Sequence, residues 1–288
     1  MAALATGTVL LASGTEDTAT SLTAAGATSS WSASSGPVAL ATESTATVVD
    51  ADAVLAQVDA AASAAGGSIS VVVLDSAGQE LLAGDASVTY TASLVKLFVV
   101  TRLLQLDEAG SLSLSADDLA LMQAAVSRSD DGAMSTLWVR YDGDQLVTDI
   151  ADELGLTGTA APIVTGQWGQ TTTTAADLAT FLASMDDVLD SADRGMVLGW
   201  MQSATATAAD GFDQAFGLFS EAVDADGSVA VKQGWMCCVD DQRQLHSIGV
   251  LADGTVVVLL GNFPESTSWD EARTALDTAA TAVVTAVG

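Results

Sequence analysis

The order of the predicted elements indicates an α+β fold: a five-stranded antiparallel sheet with flanking terminal helices and an inserted all-helical lobe. Two runs rich in β-branched residues lie before a long stretch with helical periodicity, and three such runs lie after it. An amphipathic helical pattern opens the folded part of the chain, and another closes it. Strands separated in this way form one sheet if the helical stretch between them is an insertion.

The first three elements are predicted to be a helix and two strands. The segment ATVVDADAVLAQVDAAASAAG, which begins at Ala46, places its aliphatic residues on one helical face and ends at two glycines. The segment SISVVVLDSAGQELLAGD then has the composition of two strands, joined by a turn at Ser76, Ala77 and Gly78.

The helical lobe is predicted at about residues 93–204. Its segments are SLVKLFVVTRLLQLDEAG, SADDLALMQAAVSRS, DGAMSTLWVRY, GDQLVTDIADELG, TTAADLATFLASMDDVL and SADRGMVLGWMQSA. Strand patterns return in SVAVKQGWMCCV, RQLHSIGVLADG and TVVVLLGNF, and SWDEARTALDTAATAVVTAV is predicted to be the closing helix. A ligand cleft is expected where the lobe meets the sheet.

Residues 1–45 differ in composition from the rest of the chain. LATGTVLLASG is too short to span a bilayer and resembles the end of an export signal, although no basic residue precedes it. The following Ser/Thr/Ala/Gly-rich stretch is typical of a flexible linker. We therefore predict a leader remnant and linker over 1–45 and one domain over 46–288. The protein is expected to be exported, extracellular or associated with the cell envelope, with a signal or lipoprotein leader before processing.

The charge and the cysteines exclude several classes of protein. With 37 acidic and 8 basic residues, the formal net charge is −29. Nucleic acids and anionic membrane surfaces bind a basic footprint, which this chain lacks. There is one histidine, and Cys237 and Cys238 are adjacent rather than at metal spacing, so we expect neither a zinc site nor a cofactor. The two cysteines are expected to face opposite sides of a strand.

Lysine is almost absent from the chain, which makes its two lysines informative. Lys96 lies in the apolar run LVKLFVV, three residues after Ser93, and Lys232 lies in VAVKQGW. On a helix, a spacing of three residues places both side chains on one face. A serine hydroxyl needs a base to become a nucleophile, and a buried lysine can be that base. The alternative is a solvated surface lysine, which the apolar neighbours of Lys96 disfavour.

Two further segments contain residue types that would complete such a site. Ser129 follows one helix and Asp131 begins the next, although a Ser-Asp pair is also an ordinary helix N-cap. Lys232 lies on the first strand after the lobe and precedes Gln233 and Gly234. A glycine at that position lets a ligand approach the edge of the strand.

In this order, S-x-x-K at Ser93, S-D-D at Ser129 and K-Q-G at Lys232 resemble the three motifs of the penicillin-recognising serine hydrolases. That family includes class A β-lactamases, D,D-peptidases and actinobacterial β-lactamase-like exported proteins. The resemblance covers residues 46–288 and implies the β-lactamase/transpeptidase-like fold. It implies a small-molecule or peptidoglycan-like substrate, and a monomer is expected.

The resemblance also implies a role for each residue. Ser93 would be the nucleophile that forms an acyl-enzyme, and Lys96 would accept its proton. Ser129 would relay a proton to the leaving nitrogen. Lys232 would keep that path electropositive and bind a substrate carboxylate. The backbone N–H groups of Ser93 and Trp235 would form the oxyanion hole.

The substrate-binding residues differ from the pattern of the family. Asp131 stands where the family usually has Asn, and its carboxylate would pair with Lys96 and favour the charged lysine. Gln233 replaces a Thr or Ser whose hydroxyl touches substrate carboxylates. Gly234 keeps its place, and Arg243 begins the neighbouring strand, where it could bind an anion. Asp131, Gln233, Gly234 and Arg243 are thus the candidate substrate-binding residues.

The segment LTGTAAPIVTGQWGQTTT, at 156–173, contains no acidic residue. Class A β-lactamases use a glutamate in the corresponding loop to activate the water that releases the acyl group. Glu153 is the nearest carboxylate, but the pattern DIADELG predicts that it ends a helix. His246, on a predicted strand, is expected to be structural rather than catalytic.

The sequence therefore predicts a β-lactamase-like serine acyl-hydrolase that is slow to deacylate. Its expected substrate is a small amide, ester or lactam bearing a carboxylate. One alternative is a penicillin-binding, D,D-peptidase-like protein. Another is a non-catalytic envelope protein that kept the fold as a binding module.

Overall fold

The structure is a computed structural model that describes residues 49–288; the predicted leader and linker lie outside the described residues. The α-helices are α1 (Ala51–Ala64), α2 (Val95–Glu108), α3 (Ala116–Ser127), α4 (Asp131–Tyr141), α5 (Gly143–Leu154), α6 (Ala175–Ala183), α7 (Met185–Val188), α8 (Ser191–Gln202) and α9 (Trp269–Val287). The strands are β1 (Ser68–Leu74), β2 (Glu80–Gly84), β3 (Thr89–Tyr90), β4 (Thr172–Thr173), β5 (Ala230–Val239), β6 (Gln242–Val250) and β7 (Val256–Pro264). Single turns of 3₁₀-helix occur at Ala92–Leu94, Trp168–Gln170 and Gly217–Phe219.

Five strands form one antiparallel sheet in the order β2-β1-β7-β6-β5. β1 therefore pairs with the last strand of the chain, and the helices α2 to α8 form the insertion between β2 and β5. This arrangement confirms the predicted α+β fold. The sequence did not predict the short ribbon of β3 and β4, which pairs Thr89 with Thr173 and Tyr90 with Thr172.

The sheet has an apolar core on each face, because its central strands are apolar at successive positions. Alternate residues point to opposite faces of a strand. Val72 and Val258 belong to the core shared with the helical lobe, whereas Val71 and Val257 belong to the core shared with α1 and α9. Both faces of β1 and β7 are thus covered, which makes the sheet a rigid support for the site at its edge.

Helix α2 is the centre of the lobe. Its residues from Val95 to Thr101 are all buried, so the helix is covered around its whole circumference. Phe98 packs edge-to-face on Phe181 of α6, with ring centroids 4.7 Å apart. Lys96 lies within this buried stretch, so its ammonium group depends on protein partners instead of water.

The end of β5 differs from the prediction for the two cysteines. Cys237 and Cys238 are joined by a disulfide and do not stand as two independent strand residues. They lie in a bulge where the pairing of β5 with β6 shifts between Met236 and Val239. Among the helices of residues 49–288, none combines the length and the hydropathy needed to cross a membrane.

Candidate active site

Ser93 lies on a tightly held turn before α2. The turn Ala92–Leu94 is 3₁₀-helical, and α2 itself begins at Val95, so Ser93 precedes the helix that the sequence assigned to it. Ala92 has a φ of +47°, in the left-handed region, where a residue with a Cβ is strained. The Thr91 N–H donates to the carbonyl oxygen of Thr171, the residue just before β4, at 2.7 Å, which ties this turn to the start of the ribbon. The strained backbone before Ser93 is therefore fixed by its neighbours.

Lys96 brings its ammonium group to the Ser93 hydroxyl. The Lys96 Nζ lies 2.9 Å from Ser93 Oγ, 2.7 Å from the Ser129 carbonyl oxygen and 2.7 Å from Asp131 Oδ1. The lysine is 0% exposed, whereas the Asp131 side chain is 58% exposed. The predicted spacing thus does place Ser93 and Lys96 together, and the i,i+3 relation holds across the boundary between the turn and the helix.

Ser129 joins the two lysines. Its Oγ lies 3.2 Å from Lys96 Nζ and 2.9 Å from Lys232 Nζ. Ser129 sits between α3 and α4 with a φ of +51°, and Lys232 comes from β5 on the other side of the cleft. Asp130 is the N-cap of α4, as its side chain accepts from the Ala133 N–H at 2.9 Å. The Ser-Asp sequence therefore provides both the cap and the serine of the site.

Burial dominates the electrostatics of the two lysines. Desolvation lowers the pKa of Lys96, and the nearby carboxylate of Asp131 opposes this change, with smaller contributions from Asp130 and Asp210. Desolvation, reinforced by the charge of Lys96, places the pKa of Lys232 well below its usual value. Removing water from both groups thus favours the neutral form of each lysine over its charged form.

The edge strand β5 provides the other side of the site. Strand β5 is the last strand of the five-stranded sheet, so its outer edge pairs with no other strand of that sheet. The turn that carries Ser93 packs along this edge. Gly234 permits this approach, since a Cβ there would lie 3.1 Å from both the Leu94 side chain and the Thr91 carbonyl oxygen. Ser93 and Trp235 line the same cleft, so the two backbone N–H groups expected to form the oxyanion hole belong to adjoining segments.

The cleft at Ser93 has a volume of about 220 Å³. The residues that line it come from the turn Ala92–Leu94, α4, the segment at 166–169 and β5: Ala92, Ser93, Asp131, Gly166, Gln167, Trp168, Gly169, Trp235 and Met236. The Trp168 ring lies over Lys96, with its centroid 4.9 Å from Nζ, and its Nε1 donates to Ser135 Oγ at 3.2 Å. The indole of Trp168, which belongs to the segment 156–173, thus covers Lys96 on one side of the cleft.

Two of the predicted substrate-binding residues point elsewhere. Gln233 is buried, and its amide donates to the carbonyl oxygens of Gln214 and Phe216 at 3.3 and 2.5 Å. Arg243 donates to the Glu265 carbonyl oxygen at 3.1 Å and stacks on a tryptophan of α9, 4.1 Å from the ring centroid. Asp131 therefore lines the cleft, and Gly234 lies against the turn that carries Ser93. Gln233 and Arg243 have their partners outside the cleft.

Glu153 and His246 have structural partners. Glu153 accepts from Arg102 at 2.9 Å and from Gln105 at 3.1 Å, in the later turns of α2. Arg102 lies about 9 Å beyond Lys96 along the helix axis, so this carboxylate faces away from Ser93. His246 Nε2 lies 2.8 Å from the carbonyl oxygen of Tyr90, which accepts a hydrogen bond from its N–H group. The histidine thus supports the backbone just before the turn that carries Ser93.

Sequence reasoning missed two residues near the site. The sequence analysis gave Trp168 no role in the site, although the glycines on both sides of it in GQWGQ were a signal that its loop passes close to another segment. Asp210 accepts from the Trp235 indole N–H at 3.1 Å and lies in the irregular segment between α8 and β5. Nothing in the composition of that segment identifies Asp210, because its approach depends on a bridge between Thr207 and Asp213.

Comparisons with known proteins identify relatives by sequence and by fold. No known family profile matches the chain. The chain is 36% identical over 197 residues to "Putative lipoprotein LppW" of Mycobacterium tuberculosis and to its namesake in Mycobacterium bovis, covering 66% of this chain and 61% of each relative. The chain thus spans about 61% of the length of the curated relatives that it matches.

Solved structures of β-lactamases are similar to the fold. A β-lactamase of Chitinophaga pinensis superposes with a TM-score of 0.69 at 15% identity, covering 82% of this chain and 100% of that one. The class A β-lactamase PenP of Rhodopseudomonas palustris, itself named as putative, gives 0.64 at 18% identity, covering 82% and 98%. The chain has the β-lactamase-like fold of the penicillin-recognising proteins, which confirms the resemblance seen in the sequence.

Proposed function

We propose that the protein is a serine acyl-hydrolase in which Ser93 forms an acyl-enzyme with a small amide, ester or lactam. The observation that carries the proposal is the contact of 2.9 Å between Lys96 Nζ and Ser93 Oγ, made by a lysine with no exposed surface. A nucleophile and its base within hydrogen-bond reach are the geometric requirement for covalent catalysis. The β-lactamase-like fold supports the same reading.

In the proposed acylation step, neutral Lys96 accepts the Ser93 proton as Oγ attacks the carbonyl carbon of the substrate. The negative charge that develops on the carbonyl oxygen is stabilised by the N–H groups of Ser93 and Trp235. As the bond to the leaving nitrogen or oxygen breaks, Ser129 gives that atom its hydroxyl proton. Ser129 regains a proton from Lys96 across their 3.2 Å contact. The step ends with an ester on Ser93 and neutral Lys96.

Deacylation is proposed to be slow. A second base would have to activate water, and the loop at 156–173 offers no carboxylate. Glu153 is bound to Arg102 and Gln105, so it does not replace that base. General-base assistance contributes about 10² to 10⁴ in rate, so the acyl-enzyme should outlast that of an efficient β-lactamase by about that factor. A penicillin-binding protein of the D,D-peptidase type would share this property.

A non-catalytic binding module is the second candidate. The observation that favours it is the ion pair of Lys96 with Asp131 at 2.7 Å, because a paired lysine holds its proton more tightly. In that case the cleft would bind a ligand without forming a bond to Ser93.

We also propose that the protein is exported and associated with the cell envelope. The relatives at 36% identity carry a lipoprotein name, and the fold is shared with β-lactamases. A fractionation experiment that recovered the protein from the cytoplasm alone would exclude this location.

The test of the proposed chemistry is the intact mass of the protein after incubation with a penicillin and, separately, with a neutral activated ester. The native chain should gain the mass of one acyl group from the ester, and the Ser93→Ala variant should gain none. A native protein whose mass is unchanged by both reagents would exclude the acyl-hydrolase and leave the binding module.

A further inference from the structure

We propose that the natural acyl donor of Ser93 carries a protonated amino group on its acyl part and no carboxylate. This inference rests on the proposed acylation of Ser93 and adds the charge of the donor. The resemblance to penicillin-recognising enzymes implies an anionic substrate instead. The placement of the charged side chains reverses that expectation.

The two lysines do not present a free charge to the cleft. Lys96 Nζ has three N–H groups, and four acceptors on Ser93, Ser129 and Asp131 lie within 3.2 Å of it. Lys232 is 1% exposed. It donates to Ser129 Oγ at 2.9 Å and to the carbonyl oxygen of Gln233 at 2.7 Å. The Nζ atoms of both lysines are therefore engaged within the protein, behind the serines.

The other expected anion-binding groups are also engaged elsewhere. The side-chain amide of Gln233 donates to the backbone carbonyl oxygens of Gln214 and Phe216, which lie outside the cleft. Arg243 is held by the Glu265 carbonyl and by the ring of Trp269. A substrate carboxylate in the cleft would therefore meet neither a guanidinium nor a side-chain amide from this set.

Asp131 instead gives the cleft a negative surface. Among the described residues that line the cleft, it is the one with a charged side chain. One of its oxygens binds Lys96, yet 58% of the side chain stays exposed, so the carboxylate still faces the ligand space. Asp210, at the adjoining Trp235, adds a second carboxylate close enough to affect Lys96. An anionic donor would be repelled here and a cationic one attracted.

The walls of the cleft and the overall charge favour the same class of donor. Trp168 and Trp235 both line the cleft, and aromatic rings bind ammonium groups through their faces. Trp168 already makes such a contact, with the Lys96 ammonium. The formal charge of −29 creates a field that draws cations towards the molecule and slows the approach of anions.

The experiment compares three rigid donors that differ in charge. They are the 4-nitrophenyl esters of 4-(aminomethyl)benzoic, 4-ethylbenzoic and terephthalic acid, whose acyl parts carry an ammonium, an ethyl and a carboxylate group. Acylation of the full chain is measured at low salt as nitrophenolate released in the first turnover, with the adduct identified by intact mass. For each ester, the rate constant of the native protein is divided by that of Asp131→Asn, which removes the intrinsic reactivity of the ester. Any effect of the substitution on Lys96 changes the three ratios by the same factor, so the comparison among the esters does not depend on it.

We expect this ratio to be highest for the ammonium ester and lowest for the carboxylate ester. A unit charge near an exposed carboxylate changes a rate by roughly fivefold in water, which gives a spread of roughly 25-fold that shrinks as salt is added. Asp59→Asn, on the exposed surface of α1, removes the same charge and should give equal ratios for the three esters.

Two results would overturn the inference while leaving the proposed function intact. One is a ratio that does not depend on the charge of the ester, and the other is a highest ratio for the carboxylate ester. If none of the esters forms an adduct that Ser93→Ala abolishes, the proposed function itself fails, and the inference fails with it.

Discussion

Replacing Asp131 with Asn should accelerate acylation of Ser93 by a neutral ester. In the native protein the Asp131 carboxylate lies 2.7 Å from Lys96 Nζ and stabilises the charged lysine, which cannot accept the serine proton. Asn is nearly isosteric and can still accept a hydrogen bond from Lys96, so the geometry should be retained. The change therefore tests the charge alone.

The size of the effect follows from the exposure of the two partners. Unit charges 4 Å apart interact by about 1 kcal/mol in water and by about 4 kcal/mol near a protein surface. Because the Asp131 side chain is 58% exposed, the lower figure applies, at about 1 kcal/mol. A free energy of about 1.4 kcal/mol corresponds to a tenfold change in an equilibrium constant. We therefore expect about fivefold more neutral Lys96 in Asp131→Asn, and about fivefold faster acylation at neutral pH.

The assay is the first-turnover acylation rate measured as a function of pH. The rate should rise with pH as Lys96 loses its proton, and this rise should occur at lower pH in Asp131→Asn. Asp130→Asn is the matched control, because Asn also caps helices and Asp130 does not contact Lys96; its profile should shift less. An Asp131→Asn profile that coincides with the native one, or that shows slower acylation at every pH, would refute this account of the base.

Three further predictions concern residues around the site. Burial lowers the pKa of His246 to about 4, against about 6.5 in an unfolded chain, so the free energy of unfolding should fall by about 3 kcal/mol as the pH drops from 6.5 to 4. Denaturant titrations of His246→Gln should lack that part of the pH dependence. If the free energy of unfolding of the variant and of the native protein changed with pH in the same way, the prediction would be wrong. Phe98→Ala should lower the free energy of unfolding by about 3 to 5 kcal/mol, since the ring is fully buried against Phe181; a loss below about 1 kcal/mol would show that the core does not depend on this pair. Glu153→Gln should leave the lifetime of the acyl-enzyme unchanged in a mass time course, whereas a longer lifetime would identify Glu153 as the deacylating base.

Much of the fold was predictable because its strands and helices have strong local patterns. The apolar runs of β1 and β7 and the apolar segment of α2 are typical of buried elements, and they fold as predicted. The ribbon of β3 and β4 was not predictable, since two-residue strands have no periodicity. The bulge that contains Cys237 and Cys238 was not predictable either, because the residue pattern does not reveal it.

The site was predictable to the extent that unusual residues mark it. Lys96 and Lys232 stood out in a chain almost without lysine, and both lie beside Ser129. The directions of Gln233 and Arg243 could not be predicted, because they depend on carbonyl groups supplied by distant loops. Trp168 likewise reaches Lys96 only because its loop folds back against the turn that carries Ser93.

The most direct test of the central claim is the position of the acyl group on the chain. The native protein is exposed briefly to a neutral 4-nitrophenyl ester, digested, and mapped by tandem mass spectrometry. The proposed chemistry predicts one acyl group, attached to Ser93, and a strong reduction of its yield in Lys96→Met, a variant that removes the base. An acyl group attached instead to Ser129 or Lys96, or a yield on Ser93 that does not depend on Lys96, would contradict the assignment of Ser93 as the nucleophile with Lys96 as its base.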